Sequence, residues 1–289
     1  MTNAPTRVRV SAPPTETILG TDPERGRRLA GLLALLPTAA ILLVRVGINA
    51  PSAPRLPYST LYDPIATLAL VGPAVAAVIV GVTTDDDLRR VALAFAGVFG
   101  LLSAVARPAT LPASVVLVVT TGLLVVARAR RPFSPDEVAE TLVGVVFVAG
   151  VALSMAGSLG FEPATTRRLG SAATLLAIAG APVFVEWTYR SVFVGALAGA
   201  AVAGFGLSAP FVTGATSLVG GAIVGVSLPV LTVAAVGGTT LVATGIERRT
   251  IETALAGLLL LTAGVPATVP RGLALLLGLA LLLRTRTDP

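Results

Sequence analysis

The chain has no cysteine, histidine, lysine or glutamine among its 289 residues. Without cysteine it forms no disulfides, so the redox character of its compartment leaves no trace in the sequence. Without His or Cys, the usual ligands of zinc, haem and iron–sulfur centres are missing. The same absence removes Ser-His and Cys-His nucleophile pairs and the HExxH metalloprotease helix. Without Lys there is no Schiff-base retinal site and no Walker A loop. Charge is scarce as well: 12% of residues are charged, about half the share of a soluble globular domain. No charged residue falls clearly in the middle of an apolar run, so a proton relay built on acids has nothing to stand on. Segments between the runs are too short for an ATPase or substrate-binding domain. These absences lead us to expect no cofactor, no metal and no catalytic chemistry of the chain's own.

What is present is apolar. Hydrophobic residues make up 54% of the chain and the mean hydropathy is +0.89. Apolar runs of about 16 to 25 residues recur along its length, each long enough or nearly so to cross roughly 30 Å of hydrocarbon as a helix. The expected fold class is therefore all-α, a polytopic integral membrane helix bundle of about ten transmembrane helices. All 21 basic residues are arginine, and the formal net charge is +6. In a soluble protein such a balance would suggest nucleic acid. Here the arginines sit in short clusters between apolar runs, which is the positive-inside pattern, so no nucleic-acid partner is expected.

Residues 1–21 are rich in Pro and Thr and contain no apolar run; they read as a disordered cytoplasmic tail. Residues 22–286 read as a single transmembrane helical domain. Asp22-Pro23-Glu24 has the form of a helix start, and span one follows over about 26–47 with a kink expected at Pro37. Asp63-Pro64 opens span two and Thr84-Asp85-Asp86-Asp87 opens span three. Thr110-Leu111-Pro112 opens span four, which ends in the basic cluster Arg128 to Arg131. Ser134-Pro135-Asp136-Glu137 is a capping box before span five, and Glu162-Pro163 opens span six, which carries Gly180-Ala181-Pro182. Span seven covers about 191–208. The run 217–245 is too long for one perpendicular crossing and too short for two. It reads as one tilted helix, kinked or unwound near Pro229 and Gly237-Gly238. Two further spans end near Leu283.

Ten spans with both termini inside leave only Arg45, Arg55, Arg107, Arg167, Arg168 and Arg271 outside, against fifteen arginines inside. That split favours an N-in/C-in multi-pass protein of the plasma membrane, with the lipid bilayer as its first partner.

Three groups of residues stand out. Glu186, Trp187, Tyr189 and Arg190, between two long runs, read as an aromatic anchor with an i,i+4 ion pair or as a small polar site at the inner interface. Pro182, Pro229, Gly237 and Gly238 are where a broken helix would line a cavity if the protein carried a solute. Gly195-x-x-x-Gly199 and Gly221-x-x-x-Gly225 would let spans seven and eight approach closely. Asp85-Asp86-Asp87 suits a divalent cation in composition, but three acids at a helix start also complement the helix dipole. Glu140, a turn and a half into span five, reads as solvated.

Two functional readings follow. The first is a membrane-embedded scaffold or subunit of a larger assembly, with protein partners or copies of itself. The second is a small-molecule permease: ten spans in about 290 residues are similar in size and topology to drug/metabolite-type transporters, a likeness of plan rather than of motif. A polar cavity reaching mid-membrane near Pro182, Pro229 and Gly237 separates the two, being present in a permease and absent from a packed subunit.

Overall fold

The computed structural model describes residues 23–49, 58–129, 135–208 and 226–283. Those residues form α1 (Pro23–Asn49), α2 (Tyr58–Val82), α3 (Asp87–Val105), α4 (Thr110–Ala129), α5 (Pro135–Ser158), α6 (Pro163–Gly180), α7 (Tyr189–Ser208), α8 (Leu228–Glu247), α9 (Ile251–Ala263) and α10 (Val269–Leu282). Among the described residues there is no strand. The protein is a polytopic all-α integral membrane bundle. Among the described residues seven helices, α1 to α5, α7 and α8, are long and apolar enough to cross a bilayer.

Local signals start most of these helices where the sequence places them. Asp86 is extended and accepts from the backbone N–H groups of Leu88 and Arg89 at 2.9 and 3.1 Å, which satisfies donors that the first turn of α3 cannot bond itself. This accounts for one of the three contiguous acids as a cap. Proline stands at the first helical position of α1, α5 and α6, where its missing N–H costs nothing. The Asp63-Pro64 signal is an exception. α2 begins at Tyr58 and runs through Pro64, so the helix starts more than a turn earlier than expected. α1 likewise continues through Pro37 as a single helix.

Consecutive helices run antiparallel, and small residues set how closely they pack. One close approach is α5 on α6. A Cβ built on Gly170 would run into the Ser154 backbone nitrogen, and one on Gly150 would lie 2.6 Å from that of Thr174. Only glycine permits backbones this near, and close contact is the main source of helix association where lipid offers no hydrophobic gain. Gly195 and Gly199 of α7 meet α8 in the same manner, the first against Val236 and Thr240 and the second against Val236. Gly221 and Gly225, the other half of that expectation, lie outside the described residues, as do residues 1–21.

α10 occupies the centre. It packs against α1, α2, α3, α4 and α9, and Leu273, Leu275, Leu276, Leu277 and Leu279 are all buried. A helix apolar on every face belongs in such a place. With 13 and 14 residues, α9 and α10 each rise only about 20 Å, short of the hydrocarbon thickness. Their connection carries Gly264 at φ 63° and is itself enclosed, with Ala263 and Val265 buried. Irregular backbone at membrane depth is tolerated where protein surrounds it, which is the case here.

The expectation for 217–245 is overturned where it can be seen. α8 starts at Leu228, with Pro229 in its first turn, so that proline opens a helix instead of kinking one. Gly237 and Gly238 lie in uninterrupted helix and are buried. A Cβ on Gly237 would meet the Ile178 carbonyl oxygen at 2.5 Å and the Ala179 Cα at 2.6 Å; one on Gly238 would meet Leu261. The glycines are contact points for α6 and α9. Residues 217–225 lie outside the described residues.

Candidate functional site

Many of the charged side chains gather at one end of the bundle, the end formed by the starts of α1, α3, α5, α7 and α9 and the ends of the helices between them. Six ion pairs lie there. The aromatic stretch singled out in the sequence belongs to it. α6 stops at Gly180, and Ala181–Phe184 continue as a single 3-10 turn containing Pro182. Val185 is extended, and α7 starts at Tyr189.

Thr188 caps that helix. Its Oγ1 accepts from the Ser191 backbone N–H at 3.1 Å, while the Ser191 Oγ accepts from the Thr188 N–H at 3.0 Å, a reciprocal arrangement of the capping-box kind. The Thr188 hydroxyl also donates to Glu247 at 2.5 Å, tying the α6–α7 linker to the end of α8. Glu186 accepts from Arg248 at 2.7 Å. This corrects the expected Glu186–Arg190 pair, because the linker before Tyr189 is not helical and the four-residue spacing has no helix to act through. Both partners of the observed pair are largely exposed, where ion pairs contribute about 0 to 1 kcal/mol. Trp187 and Tyr189 meet edge to face at 6.2 Å, and both are exposed. Amphipathic rings exposed at the polar end of a membrane bundle suit the headgroup level. As chemistry, the cluster offers paired charges, a hydroxyl bonded to a carboxylate and an aromatic anchor.

The members of the second group fall in different settings. Pro182 is half-buried in the 3-10 turn and Pro229 is exposed, while Gly237 and Gly238 face protein, as above. Buried hydroxyls are mostly turned onto their own helices: Thr38 donates to the Ala34 carbonyl, Thr121 to Leu117, Thr174 to Gly170 and Thr244 to Thr240. This back-bonding satisfies a hydroxyl without a partner from elsewhere. Thr120 of α4 donates across to the Ala92 carbonyl of α3 at 3.1 Å. Among the described residues no three acidic side chains are grouped as metal ligands.

Sequence reasoning missed the two most enclosed ion pairs. Arg27 of α1 donates through Nε to Glu252 of α9 at 2.9 Å, with side-chain exposures of 7% and 16%. Arg128 of α4 holds Glu140 of α5, whose side chain is 2% exposed; Glu140 is therefore enclosed by protein and not solvated. One signal was available. Glu140 falls in helical register with Gly144, Phe147, Val151 and Ser154, which form the buried stripe of α5, and a carboxylate on that stripe needs a partner.

No curated protein and no solved structure matches this chain. A family model does match it, over residues 27–283, and the chain accordingly belongs to an integral membrane family of unknown function, DUF8068.

Proposed function

We propose that the protein is a membrane-embedded scaffold or subunit of a larger assembly in the plasma membrane, contributing helix faces and no catalysis. In this reading the ten helices of the described residues belong to one bundle with both termini in the cytoplasm, and partner proteins or further copies of the chain complete the assembly. The observation that supports it is the packing of Gly237. The residue that a solute path would need at mid-membrane instead lies within contact of the Ile178 and Ala179 backbone. The polar inventory points the same way, since the hydroxyl protons of Thr38, Thr121, Thr174 and Thr244 are committed to carbonyls of their own helices.

The test is affinity purification of the tagged full-length protein from its native membrane in mild detergent, with mass spectrometry and a size measurement. A stoichiometric partner is the expected result. Recovery of the protein alone would sink the subunit reading and make solute uptake in liposomes the next experiment.

A further inference from the structure

Among the described residues α7 is the least enclosed of the seven helices able to span the bilayer, and its main neighbour is α8. Helical geometry divides its surface in two. Gly195 and Gly199 lie against α8. On the opposite side, at intervals of three and four residues, Arg190, Phe193, Val194, Leu197 and Ala201 form one exposed stripe. From Arg190 to Ala201 the helix rises about 16 Å, close to the roughly 15 Å of hydrocarbon in one leaflet. The stripe is therefore apolar over the depth of a leaflet, with a cation at its head.

Arg190 belongs to none of the ion pairs among the described residues. The carboxylates of this corner are engaged elsewhere: Glu186 holds Arg248 and Glu247 accepts from Thr188. With Arg249 exposed just past the end of α8, the corner sets three arginines, Arg190, Arg248 and Arg249, against those two acids. Trp187 and Tyr189 stand exposed immediately before Arg190, with the ring character of the headgroup level. A second copy of the chain packed on this stripe about an axis normal to the membrane would bring two Arg190 guanidinium groups together, so the charge at its head argues against that occupant. A phospholipid answers both parts of the surface, its phosphate meeting the planar fork of the arginine and an acyl chain following the apolar residues below. The excess of arginine favours an anionic headgroup over one that carries an ammonium group of its own. We propose that the outer face of α7 binds an anionic phospholipid of the leaflet at the charged end, with the phosphate on Arg190 and an acyl chain along Phe193, Val194 and Leu197.

The experiment titrates the purified, delipidated full-length protein in mild detergent with dioleoylphosphatidylglycerol, with dioleoylphosphatidylcholine, and with glycerophosphoglycerol, which is the first headgroup without acyl chains. Native mass spectrometry reads the bound lipid and the oligomeric state. Saturable binding of phosphatidylglycerol, tighter than that of phosphatidylcholine and not displaced by glycerophosphoglycerol, is expected. Arg190→Gln is expected to lower the affinity about fivefold, the contribution of one arginine at an anionic lipid surface, and Arg190→Glu to lower it further. Arg190→Lys keeps the charge and is expected to retain most of the binding. Because Arg190 is exposed and outside every described ion pair, these variants leave the packing of the bundle untouched. Arg90→Gln is the control: that guanidinium is already held by Asp87 and the Thr84 carbonyl, and binding as in the wild type is expected. Unchanged affinity in Arg190→Glu, equal losses in Arg190→Gln and Arg90→Gln, or equal binding of the two lipids overturns the proposal. Displacement by glycerophosphoglycerol overturns the part assigned to the apolar stripe, and a lipid-free dimer that Arg190→Glu dissociates would give the face to a second copy instead.

Discussion

Arg128 grips a single carboxylate oxygen of Glu140 with two nitrogens, Nε at 2.9 Å and Nη2 at 2.8 Å. The pair closes the junction of α4 and α5 at the charged end of the bundle. Glu140 is almost fully enclosed, so removing Arg128 takes a cation at 2.8 Å away from a buried carboxylate. Arg128→Ala is therefore expected to destabilise the protein by about 3–5 kcal/mol. Replacing both residues with apolar ones of similar volume is expected to cost much less than either single change. The check is the fraction remaining monodisperse after graded heating in detergent; a double variant as unstable as Arg128→Ala would refute that account.

The Glu186–Arg248 pair makes the opposite prediction. It is equally short but open to water, and Arg248→Ala is expected to change stability by less than about 1 kcal/mol. Raising the salt concentration should shrink even that difference. Comparing this variant with Arg128→Ala in one heating series tests whether enclosure, rather than distance, decides what an ion pair contributes.

Glycine substitutions separate contact from propensity. Gly170→Ala drives a methyl group into the Ser154 backbone nitrogen and must push α5 and α6 apart. A clear loss of thermal stability is expected. Gly122 of α4 has nothing within 4 Å of its would-be Cβ, so Gly122→Ala should be neutral or stabilising by up to about 1 kcal/mol through helix propensity. Equal effects from the two variants would show that the α5–α6 contact is not set by small residues.

The absence of cysteine makes topology directly measurable. Single-cysteine variants at Asp85 and Thr250, in the α2–α3 and α8–α9 turns, should react with an impermeant maleimide from one side of the membrane. Variants at Ala106 and Phe161, in the α3–α4 and α5–α6 turns, should react from the other. From the arginine distribution the first pair is expected to react from the cytoplasmic side. Labelling of Asp85 and Ala106 variants from the same side would break the antiparallel order of α2, α3 and α4.

The sequence by itself determined the class and most of the helix starts, because these depend on local chemistry. An apolar run of sufficient length has to satisfy its own backbone as a helix in lipid, and a proline or an Asp cap at the right position opens one wherever it falls. Asp86 and Pro163 act through neighbours a few residues away, so their roles were visible in the chain. Tertiary structure alone decided the rest. Glu186 pairs with Arg248 and Arg27 with Glu252 across 62 and 225 residues, distances that no local pattern spans. Gly237 and Gly238 are compatible with either a broken helix or a close contact, since a missing side chain permits both; the approach of α6 and α9 selected the contact. α10, too short to match the bilayer alone, is central because five other helices enclose it, and a helix enclosed by protein has no need to match the membrane's thickness.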